Sequence, residues 1–292
     1  RISLAGRLFE TTVSRPFLFH GSIGPSAALA EWSEDGDDLA VWSHSQGVYP
    51  LRGALARVLS LPQERIAVRH HAGSGCYGHN GADDAALDAA LMARAVPGRP
   101  VRVVWSRQDE FQSAPMGPAM VVRCRATVDG NARIVSLKVG VNSMPHGNRP
   151  GVAGNVNLRA AAYLEKPFVS KPGKGMPLAR GGDADRNAVP LYAIPNVEVS
   201  KRVVNALPYR TSSLRALGAY ANIYAIETLM DEIALALGAD PVAFRLTHLE
   251  DERAKAVIEA VDRSAGNWRE DRFGDGQGWG LGFARYQNTA GY

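Results

Sequence analysis

Three glycines, Gly73, Gly75 and Gly78, fall within six residues between an apolar run, Ile66 to His71, and a helix-forming run that opens near Ala82. Glycines so placed let the backbone bend sharply and come close to a bound group, and the helix start behind them offers N–H donors without partners. The chemistry expected there is binding of a phosphate or another anionic, oxygen-rich group. By spacing alone, Gly73-Ser74-Gly75-Cys76-Tyr77-Gly78 also satisfies G-x-G-x-x-G. A second apolar run follows at Val101 to Ser106, with Arg107 where a 2′-phosphate contact is expected, so an NADP-binding Rossmann oxidoreductase is one reading. A tight strand-to-helix connection with no ligand is the plainer one.

The elements that must hold this loop can be read outward from it. Ala27 to Trp32 and Leu39 to His44 read as strands joined by a turn through Glu34-Asp35-Gly36-Asp37-Asp38, a hairpin. His20 sits in the irregular lead-in as a structural residue. Pro50 suits a first helical position, and Leu51, Leu55, Val58 and Leu59 make one apolar stripe until Pro62. After the loop, a helix is expected from Ala82 to Ala95, then a strand from Val101 to Trp105. Met120 to Val128 and Arg133 to Val141 flank Asp129-Gly130-Asn131, a second hairpin signal.

From Asn142 to Asn187 there is little periodicity and much Gly, Pro, Asn and Lys. That is too long for an ordinary loop, and implies either a functional insertion wrapped on the surface or an arm that docks a partner, which would make the chain a non-catalytic docking fragment. Val197 to Val204 returns as a strand. Arg215-Ala216-Leu217-Gly218 then launches a long helix with Ile223, Ile226, Met230, Ile233 and Leu237 on one side, capped by Gly238. Asp240-Pro241 opens another helix. Gly278 to Phe283 reads as a strand that stops as it starts.

Composition bounds the function classes. The chain has 292 residues, 46% of them hydrophobic, enough for a large core. A net charge of +4 without a basic run argues against nucleic-acid binding. Two cysteines, Cys76 and Cys124, are too few for an iron–sulfur cluster or a four-cysteine zinc site. The seven histidines make no metal-ligand pattern, and H-E-x-x-H, G-x-S-x-G and a Walker lysine are all missing. No stretch approaches the ~20 apolar residues of a membrane span. Both ends read as cut, and the compartment is not legible.

In order along the chain, Ser45-Gln46, the loop Gly73 to His79, Gly98-Arg99-Pro100-Val101, Arg107-Gln108-Asp109-Glu110, Ile194-Pro195-Asn196 and Ser213-Leu214-Arg215-Ala216-Leu217-Gly218 followed by Glu227 resemble the motifs of the molybdenum-binding large subunit of the xanthine dehydrogenase and aldehyde oxidase family. His20 to Ser26 and Gly75-Cys76-Tyr77-Gly78 look most like its isoquinoline 1-oxidoreductase β-subunit branch. The resemblance covers roughly Arg15 to Tyr292.

It implies an α+β fold with mixed sheets and packed helices, part of a larger molybdopterin-binding subunit. Residues 1–115 would form an α/β portion with the glycine loop, 116–208 a β-rich portion with the long insertion, and 209–292 a helical portion with a second loop. Gln46, Gly73, Ser74, Gly75, Cys76, Tyr77 and Gly78 would bind the cofactor with Arg215, Ala216 and Gly218, and Arg215 would also line the substrate pocket. The cofactor implied is molybdopterin with molybdenum, usually the cytosine dinucleotide, with 2Fe-2S clusters on a small partner subunit. The substrate class is an aldehyde or an N-heteroaromatic. The family's base, a glutamate in a late G-x-G-E loop, is not in this chain, so the chain alone should be inactive. Cys76-Tyr77 also stands where the family usually has Phe-Gly.

Overall fold

The computed structural model describes residues 6–169, 173, 175–205, 209–271 and 273–288. It holds two four-stranded sheets, each backed by helices. The strands are β1 Arg7–Arg15, β2 Ala27–Trp32, β3 Leu39–Ser43, β4 Ile66–His70, β5 Val101–Val104, β6 Met120–Val128, β7 Ile134–Ser143 and β8 Asn196–Val203. The helices are α1 Val48–Leu59, α2 Ala82–Ala93, α3 Arg107–Ser113, α4 Ala219–Ala236, α5 Pro241–Thr247 and α6 Glu252–Ser264. The expected α+β class and both hairpins are present.

One sheet runs β4-β3-β2-β5. Alternation turns Ala28, Ala30 and Trp32 of β2 and Leu39 and Val41 of β3 to one face. There they meet Leu51 and Leu55 of α1 and Ala85, Ala86 and Ala89 of α2. Small α2 side chains let that helix lie close on the sheet, at the density a core needs. α1 begins two residues before Pro50, with Gly47 as N-cap. Proline is tolerated there because the first turn's N–H groups have no helical partner in any case.

The order of this sheet excludes the Rossmann reading. β4 and β5 stand on opposite edges with β3 and β2 between them, whereas that site needs the strands on either side of the glycine turn to meet at a crevice. Arg107 is also committed: it donates to the carbonyls of Ser22 (2.6 Å) and Ile23 (2.8 Å) and pairs with Glu110. It heads α3, a short helix that the sequence expectations lack, although the capping box of Ser106 and Asp109 signals it.

The other sheet runs β1-β6-β7-β8. β6 buries Met120, Val122, Cys124, Ala126 and Val128, while β7 buries Ile134 and then Leu137, Val139 and Val141. The change of parity on β7 follows from the register shift at Thr127/Val128. α4 covers this face with Ile226, Met230 and Ile233. β1 pairs with β6 along its whole length, and neither β1 nor α6 is among the elements expected from sequence.

β7 and β8 are parallel, so a long crossover must join them. That is the role of the aperiodic Asn142 to Asn187 stretch, which is mostly exposed over residues 162–169 and 176–180 and buried on either side. It drops Val156, Leu158 and Ala161 into the first core and Ala184 into the second. Gly278 to Phe283 forms no strand. It is pinned instead by a buried ionic cluster, in which Arg245 Nε meets Glu227 Oε2 at 2.9 Å and Nη1 meets Asp231 at 2.7 Å. Arg245 Nη2 also donates to the Leu281 carbonyl (2.8 Å), and the Phe283 amide donates to Glu227 (3.0 Å). Burial, opposed by Arg245, leaves the Glu227 carboxyl above its ordinary range.

Removing one member of such a cluster strands the other charge. Arg245→Met is expected to cost about 3–5 kcal/mol, seen as a fall in Tm, and Arg245→Met combined with Glu227→Leu to recover part of it. Equal Tm for the single variant and the wild type would show that the cluster does not hold this body together.

Candidate functional site

The loop after β4 departs from ordinary backbone at several points. Gly75 has φ +133° and Gly78 φ +118°, and Tyr77 holds φ +50° without being glycine. A non-glycine residue there stores about 1–3 kcal/mol of strain and persists only when its surroundings impose it. What imposes it is a second loop. The Arg215 amide donates to the Tyr77 carbonyl and the His79 amide to the Ser213 carbonyl, both at 2.8 Å, a short antiparallel bridge centred on Gly78 and Leu214. A Cβ at Gly78 would lie 2.1 Å from the Ser213 oxygen. Glycine is therefore required for the two loops to touch.

The second loop is equally constrained. Ala216 (φ +70°) and Leu217 (φ +53°) are both left-handed. Arg15, at the end of β1, donates to the Leu217 carbonyl (2.9 Å), and its burial brings the guanidinium down to about 10. Gly218 donates to the Asp183 carbonyl (2.9 Å), where a side chain would strike Ala184. The chain leading into this loop is anchored by Arg210, which grips buried Asp84 with both terminal nitrogens, at 2.9 and 2.8 Å.

The joined loops form one wall of a cleft of about 420 Å³. Tyr77, Gly78, Leu214, Arg215 and Ala216 line it, facing Gln46, Arg149, Arg186 and Tyr286. Among the described residues, the backbone N–H groups of Tyr77, Gly78 and Ala216 donate to no protein acceptor. Amides, an amide side chain and guanidiniums make a donor set suited to an oxygen-rich anion. The start of α2 is less available: the Ala82 amide is taken by Asn80, and Asp83 and Asp84 bury two carboxylates in its first turn.

Beneath the loop lies a buried layer of titratable side chains. Burial raises Asp83 to about 6, with Ser45 Oγ donating to it at 2.6 Å, and burial holds His79 well below its usual range. Ser45 Oγ also accepts the Gly47 amide (3.1 Å), which fixes the turn that carries Gln46. Gln46 Oε1 accepts from Arg149 (2.7 Å).

Of the residues singled out by sequence, Gln46, Tyr77, Gly78, Arg215 and Ala216 meet at this cleft. Gly218 supports it from behind. Cys76 turns its thiol to the Gly78 carbonyl (3.2 Å), and burial raises its pKa. Gly73 and Ser74 border a different cavity beside His44, and Ser74 Oγ is engaged with Gly24. Arg149, Arg186 and Tyr286 are not among the residues that sequence reasoning singles out. The first two lie in the aperiodic crossover, and the only signal was its unusual length.

A glycine loop and a helix-start loop are joined at one cleft, whose lining of residues with unpaired amides and of guanidiniums suits an anion, on an α+β scaffold. The chain belongs to the molybdopterin cofactor-binding domain family, whose model matches residues 3–170 and 183–249. It is 33% identical to a subunit of nicotinate dehydrogenase from Pseudomonas putida over 86% of this chain and 20% of that protein. To the β-subunit of isoquinoline 1-oxidoreductase from Brevundimonas diminuta it is 27% identical, over 97% of this chain and 34% of the relative. Quinoline 2-oxidoreductase from Pseudomonas putida 86 shares the fold with a TM-score of 0.70 at 20% identity, over 91% of this chain and 34% of the other. The chain thus spans about a fifth to a third of these relatives.

In the complete enzyme, Gly78→Val is expected to lower molybdenum content at least about tenfold, since its side chain would part the loops, while Cys76→Ser retains the metal. Metal analysis by mass spectrometry reads both. Full metal in Gly78→Val would detach the bridge from cofactor binding.

Proposed function

We propose that this chain is the cofactor-holding part of a molybdenum hydroxylase large subunit that oxidises an aldehyde or an N-heteroaromatic compound, with water as the oxygen source. Electrons would pass to 2Fe-2S clusters on a small iron–sulfur partner subunit. The observation that carries this reading is the bridge between the Tyr77–His79 and Ser213–Arg215 segments, which brings residues with unpaired amides to a single cleft. The relatives' names supply the reaction class: they act on nicotinate, isoquinoline and aldehydes.

When bound, molybdopterin, in its cytosine dinucleotide form, supplies the redox chemistry. This chain's share is position and charge. The Tyr77, Gly78 and Ala216 amides offer fixed donors to cofactor oxygens and need not reorganise as charge moves. Gln46, held by Arg149, adds a side-chain amide from the opposite wall. Gly73, Ser74, Gly75 and Cys76 shape the approach of the loop, with Gly218 bracing the second. Tyr77, which lines the cleft, would give a flat substrate an aromatic wall. Arg215 lines the substrate side and can meet a carbonyl or an anion with a fork of donors. The general base, a glutamate, would come from the remaining parts of the subunit, so this chain by itself is expected to be inactive.

The test is analysis of the complete enzyme purified with its partners. Stoichiometric molybdenum and pterin, and oxygen from labelled water appearing in the oxidised product, are the expected results. A complete enzyme without molybdenum and pterin would end this reading.

A further inference from the structure

Three guanidiniums line the cleft, and among the described residues no carboxylate lines it with them. Arg186 is only 7% exposed and is held rigidly: Nε donates to the Gly181 carbonyl (2.9 Å), Nη2 to Gly182 (2.8 Å), and Nη1 to the Tyr286 hydroxyl. Burying a cation without a counter-ion is costly, and carbonyls and a phenol offset only part of that. Arg149 spends a single side-chain N–H, on Gln46. Among the described residues, the side chain of Arg215 has neither a hydrogen bond nor an ion pair.

Among the described residues none of the acids nearby forms an ion pair with them. Asp183 and Asp185 share one partner, Lys201, at 2.9 and 3.0 Å, and neither hydrogen-bonds a cleft guanidinium. Asp83 accepts from Ser45 beneath the loop; burial raises its carboxyl to about 6, and the charge of Arg149 opposes that rise. Three like charges around about 420 Å³ repel one another until an anion enters. Guanidinium forks match a planar oxyanion in both charge and geometry.

We propose that Arg149, Arg186 and Arg215 form a seat for a small-molecule oxyanion, and that the substrate's own carboxylate occupies it. This rests on the cofactor reading of the same cleft and narrows its substrate class to carboxylate-bearing rings. Tyr77 lines the same space, and its aromatic side chain suits the flat body of such a molecule, whose carboxylate then fixes the molecule's orientation. A phosphate group of the cofactor shares the same chemistry, and the experiment separates the two sources.

The probes are benzoate and uncharged benzamide, titrated into the complete holoenzyme by calorimetry. Benzoate is expected to bind more tightly. Arg149→Gln and Arg215→Gln should each weaken benzoate by roughly tenfold to a hundredfold per molybdenum-loaded site, with benzamide unchanged. Arg149→Lys, which keeps the charge and loses the fork, should fall between. Equal binding of the two probes to wild type would overturn the seat while leaving the molybdenum reading intact. Loss of molybdenum and pterin in the glutamine variants would assign the guanidiniums to a cofactor phosphate, and would overturn the substrate seat. Probe selectivity is read independently of metal content, so the cofactor reading and the seat fail separately.

Discussion

Two hydrogen bonds, Arg215 amide to Tyr77 carbonyl and His79 amide to Ser213 carbonyl, join segments more than a hundred residues apart in sequence. Each is an ordinary backbone bond, worth roughly 1 kcal/mol net. Their importance lies in what they force. To make them, residue 78 must lack a Cβ, Tyr77 must turn left-handed, and the second loop must follow through Ala216 and Leu217 with positive φ. The same twist leaves the Tyr77, Gly78 and Ala216 amides without protein acceptors, on residues that line one cleft.

The strain is carried by the two packed bodies. The first loop leaves the sheet that α1 and α2 cover, and the second opens α4, which covers the other sheet. Arg15 holds the Leu217 carbonyl within the second body, and Arg210, on the chain leading into the second loop, reaches across to Asp84 at the start of α2. The long crossover between β7 and β8 then runs past the joint and contributes Arg149 and Arg186 to the cleft. A segment without periodicity thus carries much of the site's charge, because a crossover is free to wander once its ends are fixed by parallel strands.

Much of this was legible beforehand. Period-two alternation marked β2, β3, β6 and β7, the apolar stripes marked α1 and α4, and the glycines of residues 73–78 marked where a backbone must come close to something. The glycine spacing alone favoured a dinucleotide site as readily as any other, and only the order of motifs along the chain separated them. What stayed hidden was long-range. β1 is half exposed and gains its register only from β6, and Arg186 has no local pattern to announce it. Gly278 to Phe283 alternates like a strand, yet it is held by Arg245 and Glu227, a pairing no local window contains. The left-handed turns at Tyr77, Ala216 and Leu217 were likewise invisible, since none of these residue types favours that conformation by itself.

The central claim is that the two loops act as one cradle. The most direct measurement is an electron cryomicroscopy or crystallographic map of the complete, cofactor-loaded enzyme, with the metal located by its anomalous signal or density. The account predicts pterin or metal-ligand oxygens within hydrogen-bonding distance, about 2.7–3.2 Å, of amides on both the Tyr77–Gly78 and the Ala216 side of the bridge. Cofactor contacting one loop alone, or bound away from this cleft, would contradict it.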